Sequence, residues 1–311
     1  MFRKATELFE YGDIDRLIDV AKSAGYDCRY VQLEPGRIKV RNACQTLGEI
    51  SIVQEQVSHS LEFCGAPPTD QLSVMLLGHG TSFRANGIRP GPHSLVIAPP
   101  GVEINIVTGG FVNITTVSIR SDLVLQYCPP ERPPSAVRGT SVYELRTDPF
   151  KWAELETALS ACRWCGSDPV LQSAHETEVV QCIARIVSAR RRNAGPGSTR
   201  LRARRDLLDA ACNYISARLG DAITISELAR ETGASERTLE RAFRQEMSLS
   251  PSRYILLRRL EAVRRELASG PGRPRNITSV ALNNGFNHLG RFSREFRHHF
   301  GLLPNQLAGR R

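Results

Sequence analysis

Residues Ile223–Phe243 read ITISELARETGASERTLERAF, and Asn276–Phe296 read NITSVALNNGFNHLGRFSREF. Each stretch is a short apolar helix in which a small residue, Ala229 or Ala281, stands four positions before a glycine, Gly233 or Gly285. That is the spacing of two helices joined by a tight turn. The alanine lets the second helix cross close to the first, and the glycine supplies the positive φ that the turn requires. In the first copy Thr224 and Glu227 have capping-box spacing, and Ser235 stands where the second helix needs an N-cap. The C-terminal part is therefore predicted to be all-α, with two helix-turn-helix motifs.

The second helix of each copy divides into two stripes. In the first, Leu239 and Phe243 face a core, leaving Glu236, Arg237, Glu240, Arg241 and Arg244 opposite. In the second, Leu289, Phe292, Phe296 and Phe300 form the expected core stripe, with Gly290, Arg291, Arg294, Arg297 and His298 opposite. A helix ~10 Å across fits the major groove of DNA, where arginine makes bidentate contacts to guanine and holds phosphates. One basic amphipathic helix pair has an ordinary surface explanation; a repeated pair does not. Between the copies lies SPSRYILLRRLEAVRREL, Ser250–Leu267. Ser250 is the expected N-cap, Pro251 suits the first helical position, and Leu256, Leu260, Val263 and Leu267 recur at helical spacing. Such a helix spans ~25 Å, enough to hold two recognition helices about one ~34 Å DNA turn apart, so that one monomer reads two successive major grooves.

Charge agrees with that division. Residues 1–182 hold 16 Lys+Arg against 21 Asp+Glu; residues 183–205 hold eight Arg and no acid; residues 206–311 hold 17 basic and 11 acidic residues. A basic surface attracts phosphate backbones, and an acidic one is repelled from them. The stretch RRRNAGPGSTRLRARR, 190–205, mixes Gly, Pro, Ser and Arg and reads as a flexible linker. The expected organisation is an effector-binding and dimerisation domain over 1–189, an Arg-rich linker over 190–205 and a DNA-binding domain over 206–311.

Upstream, from Tyr30 to about Ile119, short β-rich runs alternate with Gly, Pro and Asn: YVQLEPG, RIKVRNA, LGEISIVQEQV, QLSVMLLGHG, PHSLVIAPPG, VEINIVTGG and FVNITTVSI. They predict an antiparallel sandwich or barrel able to hold a small molecule. After Pro129–Pro134 the pattern turns helical, with Trp152, Leu155 and Leu159, then Val179, Ile183, Ile186 and Val187, giving an α+β domain. His59, His79 and His93 stand alone and read as structural or surface residues, so no metal, cofactor or catalytic set is expected. The eight cysteines are scattered; Cys162 and Cys165 have CxxC spacing without a second pair, and read as small apolar residues one turn apart. Composition, 41% hydrophobic and 23% charged, is that of a folded globular chain. With no run long enough to span a membrane and charges at Lys4, Glu7 and Glu10, the expected location is cytoplasmic.

Residues from about 205 to 311 resemble the DNA-binding domain of the AraC/XylS transcription regulators. LARETGASERTLERAF, the connecting SPSRYILLRRLEAVRREL and the closing GFNHLGRFSREFRHHFGLLP carry the likeness, and RRLEAVRREL with GFNHLGRFSREF is most similar to the ethanolamine-utilisation regulator group. The resemblance implies base-reading positions at Arg237, Glu240 and Arg241 in the first recognition helix and at Gly290, Ser293 and Arg294 in the second. Two departures stand out: Leu303 replaces the usual serine before the closing proline, and Gly290 offers no side chain at a reading position. The resemblance further implies a cupin-like N-terminal domain with flanking helices. It points to a non-enzymatic activator whose partners are double-stranded promoter DNA, a small effector, a second copy of the chain and RNA polymerase. The alternative is a DNA-modifying or cupin-like enzyme fused to the same module, against which the scattered cysteines and solitary histidines argue.

Overall fold

The computed structural model describes residues 7–12, 14–129, 137, 139–162, 168–188, 199–268 and 276–308. The chain divides into two compact units. The first comprises Met1–Tyr30 with Lys39–Gly195, and the second Val31–Ile38 with Pro196–Arg311.

The first unit is built on two antiparallel sheets. Its strands are β1 (Glu7–Tyr11), β2 (Asp27–Gln32), β3 (Val40–Leu47), β4 (Ile50–Val57), β5 (Leu61–Ala66), β6 (Gln71–Leu77), β7 (Ser82–Ala85), β8 (Ser94–Ala98), β9 (Ile104–Gly109), β10 (Val112–Arg120) and β11 (Tyr143–Arg146). The larger sheet has seven strands in the order β1-β3-β4-β10-β6-β8-β11, and the smaller has four in the order β2-β5-β9-β7. The helices of this unit are α1 (Ile14–Ser23), α2 (Ser121–Gln126), α3 (Pro149–Cys162) and α4 (Pro169–Ser188).

Strand alternation separates two apolar layers. Ile50 and Ile52 of β4, Leu72, Val74 and Leu76 of β6, and Val117 and Ile119 of β10 join one core with Val124, Trp152, Leu155, Leu159, Val179, Ile183 and Ile186. Their neighbours Val53, Glu55, Ser73, Met75, Thr116 and Ser118 line a cavity on the other face, together with Phe63, Ile104 and Ile106 from the smaller sheet. A period of two therefore gives the seven-stranded sheet two covered faces, one under α2, α3 and α4 and one under the smaller sheet and α1. The two predicted helices match α3 and α4. Cys162 is fully buried on α3, its thiol 3.1 Å from the Ala158 carbonyl oxygen, while Cys165 lies outside the described residues.

Several elements were not legible. β1, β5, β7, β11 and α1 have no counterpart among the expected runs, because each is short or breaks the alternation with small and polar residues. The 190–205 segment also departs from a simple linker: helix α5 runs Thr199–Ala217, and residues 189–198 lie outside the described part. Arg204 pairs with Glu246 at 2.9 Å and Arg205 with Asp209 at 3.5 Å, so part of the arginine run belongs to a helix.

The second unit continues with α6 (Ile225–Glu231), α7 (Glu236–Met247), α8 (Pro251–Ala268), α9 (Ile277–Asn283), α10 (Leu289–Phe300) and α11 (Pro304–Ala308). Ser250 caps α8 through its Oγ, which accepts the Arg253 amide at 3.2 Å. The burial of α8 is wider than a single stripe. Tyr254, Ile255, Leu257, Leu260, Val263 and Leu267 are buried, as are Arg258, Glu261 and Arg264, whereas Leu256 is only half-buried. A helix wrapped on most sides needs its polar groups paired inside. Arg264 and Glu261 form a buried ion pair at 2.6 Å, and Arg258 donates to Tyr254 Oη and Ser216 Oγ, both at 3.1 Å.

Candidate nucleic-acid interface

The local rules read from the sequence set the geometry of both helix pairs. Thr224 Oγ1 accepts the Glu227 amide at 3.1 Å, and Ser235 Oγ accepts the Thr238 amide at 3.2 Å, starting α6 and α7. The Tyr214 hydroxyl donates to Glu227, and this bond holds the Glu227 carboxyl below the usual carboxylate range. Asn276 Oδ1 accepts the Thr278 amide at 2.9 Å and starts α9. Gly233 and Gly285 take φ of +65° and +81°, and Ala229 and Ala281 are buried.

Arg259 holds one turn in a way the sequence did not disclose. From the middle of α8 its Nε donates to the Leu219 carbonyl at 2.9 Å and its Nη1 to the Gly285 carbonyl at 3.3 Å. An arginine at a helical position looks like a solvated charge until the chain around it is known.

On α7 the buried residues are Leu239, Ala242, Phe243 and Met247. Glu236, Arg237, Arg241 and Arg244 are exposed, and Glu240 is half-buried. Glu240 accepts from Arg244 Nε at 2.8 Å, and Glu246 is tied to Arg204, so much of the acidity of this helix is neutralised internally. Arg237 and Arg241 carry no ion pair or hydrogen bond among the described residues. Phe243 packs against Tyr254 of α8 at 5.3 Å between ring centroids, fixing which face turns outward.

On α10 the expected core stripe shifts. Phe292, Phe296 and Phe300 are buried, but Leu289 is 37% exposed and His299 takes a buried place instead. A residue in the first turn has less neighbouring structure to cover it, while His299 sits one position before Phe300 on the last. Gly290, Arg291, Arg294, Arg297 and His298 are exposed, and Ser293 is half-buried. The acid on this helix, Glu295, is bound by Arg253 of α8 at 3.2 Å. Its removal from the surface leaves Arg291, Arg294 and Arg297 as a cationic face without ion pairs among the described residues. A β-carbon at Gly290 would meet nothing within 4 Å, so this position leaves open space rather than filling a packed contact. The ten candidate positions thus all lie on α7 or α10, outside the buried stripes.

Residues 228–310 match the helix-turn-helix domain family. The XylDLEGF operon transcriptional activator 2 of Pseudomonas putida is 38% identical over 92 residues, covering 30% of this chain and 59% of that protein. The probable thc operon regulatory protein of Rhodococcus erythropolis is 29% identical over 96 residues, covering 31% of this chain and 29% of that one. Among solved structures, a probable AraC family transcriptional regulator from Rhodopseudomonas palustris is 32% identical, covers 33% of this chain and 94% of that one, and has a TM-score of 0.31. The similarity to these two curated relatives spans only 29–59% of their length. No described helix is long and apolar enough to cross a membrane.

Proposed function

We propose that the protein is a sequence-specific, DNA-binding transcription activator, located in the cytoplasm and without enzymatic activity. In this reading the α6–α7 and α9–α10 pairs are two helix-turn-helix motifs joined by α8, and one monomer reads two successive major grooves. Arg237, Glu240 and Arg241 read bases from α7, with Glu236 and Arg244 beside them; Gly290, Ser293 and Arg294 serve α10, with Arg291 and Arg297 on phosphates. The single observation that carries the reading is the pair of outward cationic faces within the matched segment 228–310. Bare guanidinium groups there suit phosphate oxygens and guanine edges. The first unit, a cupin-like pair of sheets, is proposed to bind a small effector and to dimerise the chain, and RNA polymerase is the partner implied by activation.

The test is enrichment of randomised duplex DNA on the full chain, followed by titration of the enriched sequence. A recurring motif should emerge, and affinity should fall steeply with salt as phosphate contacts release counterions. Arg237→Ala should weaken the enriched site by ~1–3 kcal/mol and relax its specificity, while Arg297→Ala, late on its helix, should lower affinity for all sequences alike. No enrichment, and no binding at low salt, would overturn the proposal.

A further inference from the structure

The face of the seven-stranded sheet that turns away from α2, α3 and α4 is not closed by packing, and α1 brings Val20, Ala21 and Ala24 to the same space. Between it and the smaller sheet lies a cavity of about 90 Å³, walled by apolar side chains that include Phe63, Met75, Ile104 and Ile114. Into this wall β4 brings a carboxylate. Glu55 lies opposite Ile114 of β10 and Asn42 of β3 and lines the cavity, whereas its neighbours Gln54 and Gln56 line a groove on the other face beside Trp152. Period-two alternation leaves Glu55 no outward alternative.

A charge in such a place ordinarily has a partner, because transfer of an ionised carboxylate out of water is costly. Glu55 has no hydrogen bond and no ion pair among the described residues. No Lys, Arg or His is among the described residues that line the cavity. The remaining polar groups are neutral: Tyr26 donates to Ser73 Oγ at 2.7 Å and lies 3.1 Å from Ser118 Oγ. Tyr26 and Tyr30 also set their rings edge-on to Phe63, at 6.3 and 4.9 Å between centroids. An unpartnered acid beside electron-rich rings suits a cation, since ring faces and carboxylate both attract positive charge. An anionic ligand would meet the acid with no base to offset it.

We infer that this cavity takes a small organic cation, a compact apolar body carrying an amine whose N–H donates to Glu55 while the body lies against Phe63, Met75 and Ile114. The size agrees: an apolar cavity of ~150 Å³ holds benzene, so ~90 Å³ suits a short alkyl chain or one small ring. This inference rests on the proposed effector role of the first unit, and specifies the chemistry of that effector.

Protonation supplies a second signature. Burial pushes the Glu55 carboxyl up to about 7. The titratable groups around it are the phenols of Tyr26 and Tyr30 and the Cys28 thiol, itself pushed up to about 11, chiefly by burial, with Lys22 of α1 and Asp27 of β2 acting on Cys28 in opposite directions. Burial raises both the Tyr26 phenol and the Cys28 thiol, which stay neutral at pH 7, so among the described groups of this wall with a shifted titration Glu55 is the one that changes charge near neutrality. A folded value above the ~4.3 of an unfolded glutamate means that the native state binds the extra proton. The empty protein therefore keeps this contribution below about pH 4 and loses it as the pH rises to about 7. A cation that remains charged over this range must bind the ionised carboxylate, so its affinity rises with pH, up to tenfold per unit below 7, and levels off above it.

The experiment uses the full chain, with n-propylamine and cyclopropylmethylamine as probes and propanol and butyrate as matched controls. Calorimetric titration and thermal melts are run from pH 5.5 to 8.5, on the wild type and on Glu55→Gln. Expected are binding of at least one amine with the stated pH dependence, no binding of the controls, and loss of amine binding in Glu55→Gln. That variant should also melt higher than the wild type at pH 8 in the absence of ligand, which verifies that it folds. Butyrate or propanol binding as tightly as the amines, amine binding retained in Glu55→Gln, or no amine binding at pH 8 would overturn the inference. DNA affinity is measured in parallel: DNA binding without amine binding defeats the cavity assignment alone, and amine binding without DNA binding defeats the regulatory reading alone.

Discussion

Two glycines in equivalent turns differ in what surrounds them. Gly233 and Gly285 both hold a left-handed backbone, but a β-carbon at Gly233 would meet nothing within 4 Å, whereas at Gly285 it would lie 2.8 Å from the Leu219 carbonyl oxygen and 2.9 Å from the Arg259 guanidinium. Gly233→Ala should cost only the conformational strain, ~1–2 kcal/mol. Gly285→Ala adds a backbone clash and displaces Arg259 from the carbonyls it serves, for a total of ~3–5 kcal/mol. Urea unfolding of the two variants reads the difference, and equal losses would show that Arg259 moves aside freely. The alanine and glycine positions were legible in the sequence because turn geometry is local. The role of Arg259 was not, since its carbonyl partners stand 40 and 26 positions away in the chain. The same limit hid Arg253, whose bond to Glu295 decides that the face of α10 is wholly cationic. Glu55 was hidden differently: in QEQ it reads as one more polar residue of a half-buried strand, and only the second sheet turns its side of the strand into a cavity wall.

At the scale of elements, α8 joins the helix pairs, and its polar interior is the feature that a count of leucines misses. At 18 residues it is ~27 Å long, close to the length expected from the sequence. The recurrence of Leu256, Leu260, Val263 and Leu267 at helical spacing gave one apolar stripe and was silent on the arginines. In the structure, packing on several sides buries Arg258 and Arg264, at 3% and 5% exposure, beside Glu261 at 2%. A buried pair is weak support for stability when whole but costly when halved. Glu261→Ala should therefore destabilise the chain by ~3–5 kcal/mol, leaving the Arg264 guanidinium without its carboxylate, whereas Glu261→Leu combined with Arg264→Met should recover at least half of that loss. Denaturant melts of the single and double variants check this; a double variant as unstable as the single would mean that the polar network, not the uncompensated charge, sets the cost. The wide stripes of α7 and α10 were easier to read, because each has one buried face, and the shift from Leu289 to His299 concerns only the ends of a helix.

For the whole molecule, the separation of charge sets how the proposed activities divide. The segment up to residue 182 is net acidic and is repelled from a phosphate backbone, while the segment from 206 onward is net basic and is attracted to it. In the proposed reading DNA affinity resides in the second unit, and the first acts on it by controlling how many copies arrive together. If the first unit dimerises the chain, binding of one DNA-reading unit raises the effective concentration of the other at a neighbouring site. Effective concentrations produced by linkage raise avidity by ~10²–10⁴ without any new contact, provided that the connection spans both sites. The full chain should therefore bind a duplex carrying two enriched sites on one face of the helix ~10²–10⁴ times more tightly than a duplex carrying one. Moving one site by half a helical turn, about five base pairs, should remove most of that gain by turning it to the opposite face. Sedimentation at micromolar concentration should show a dimer under the same conditions. A monomer in sedimentation, with equal affinity for one-site and two-site duplexes at every spacing, would mean that each chain acts alone, and any effector in the first unit would then have to work through the DNA-reading unit of its own chain.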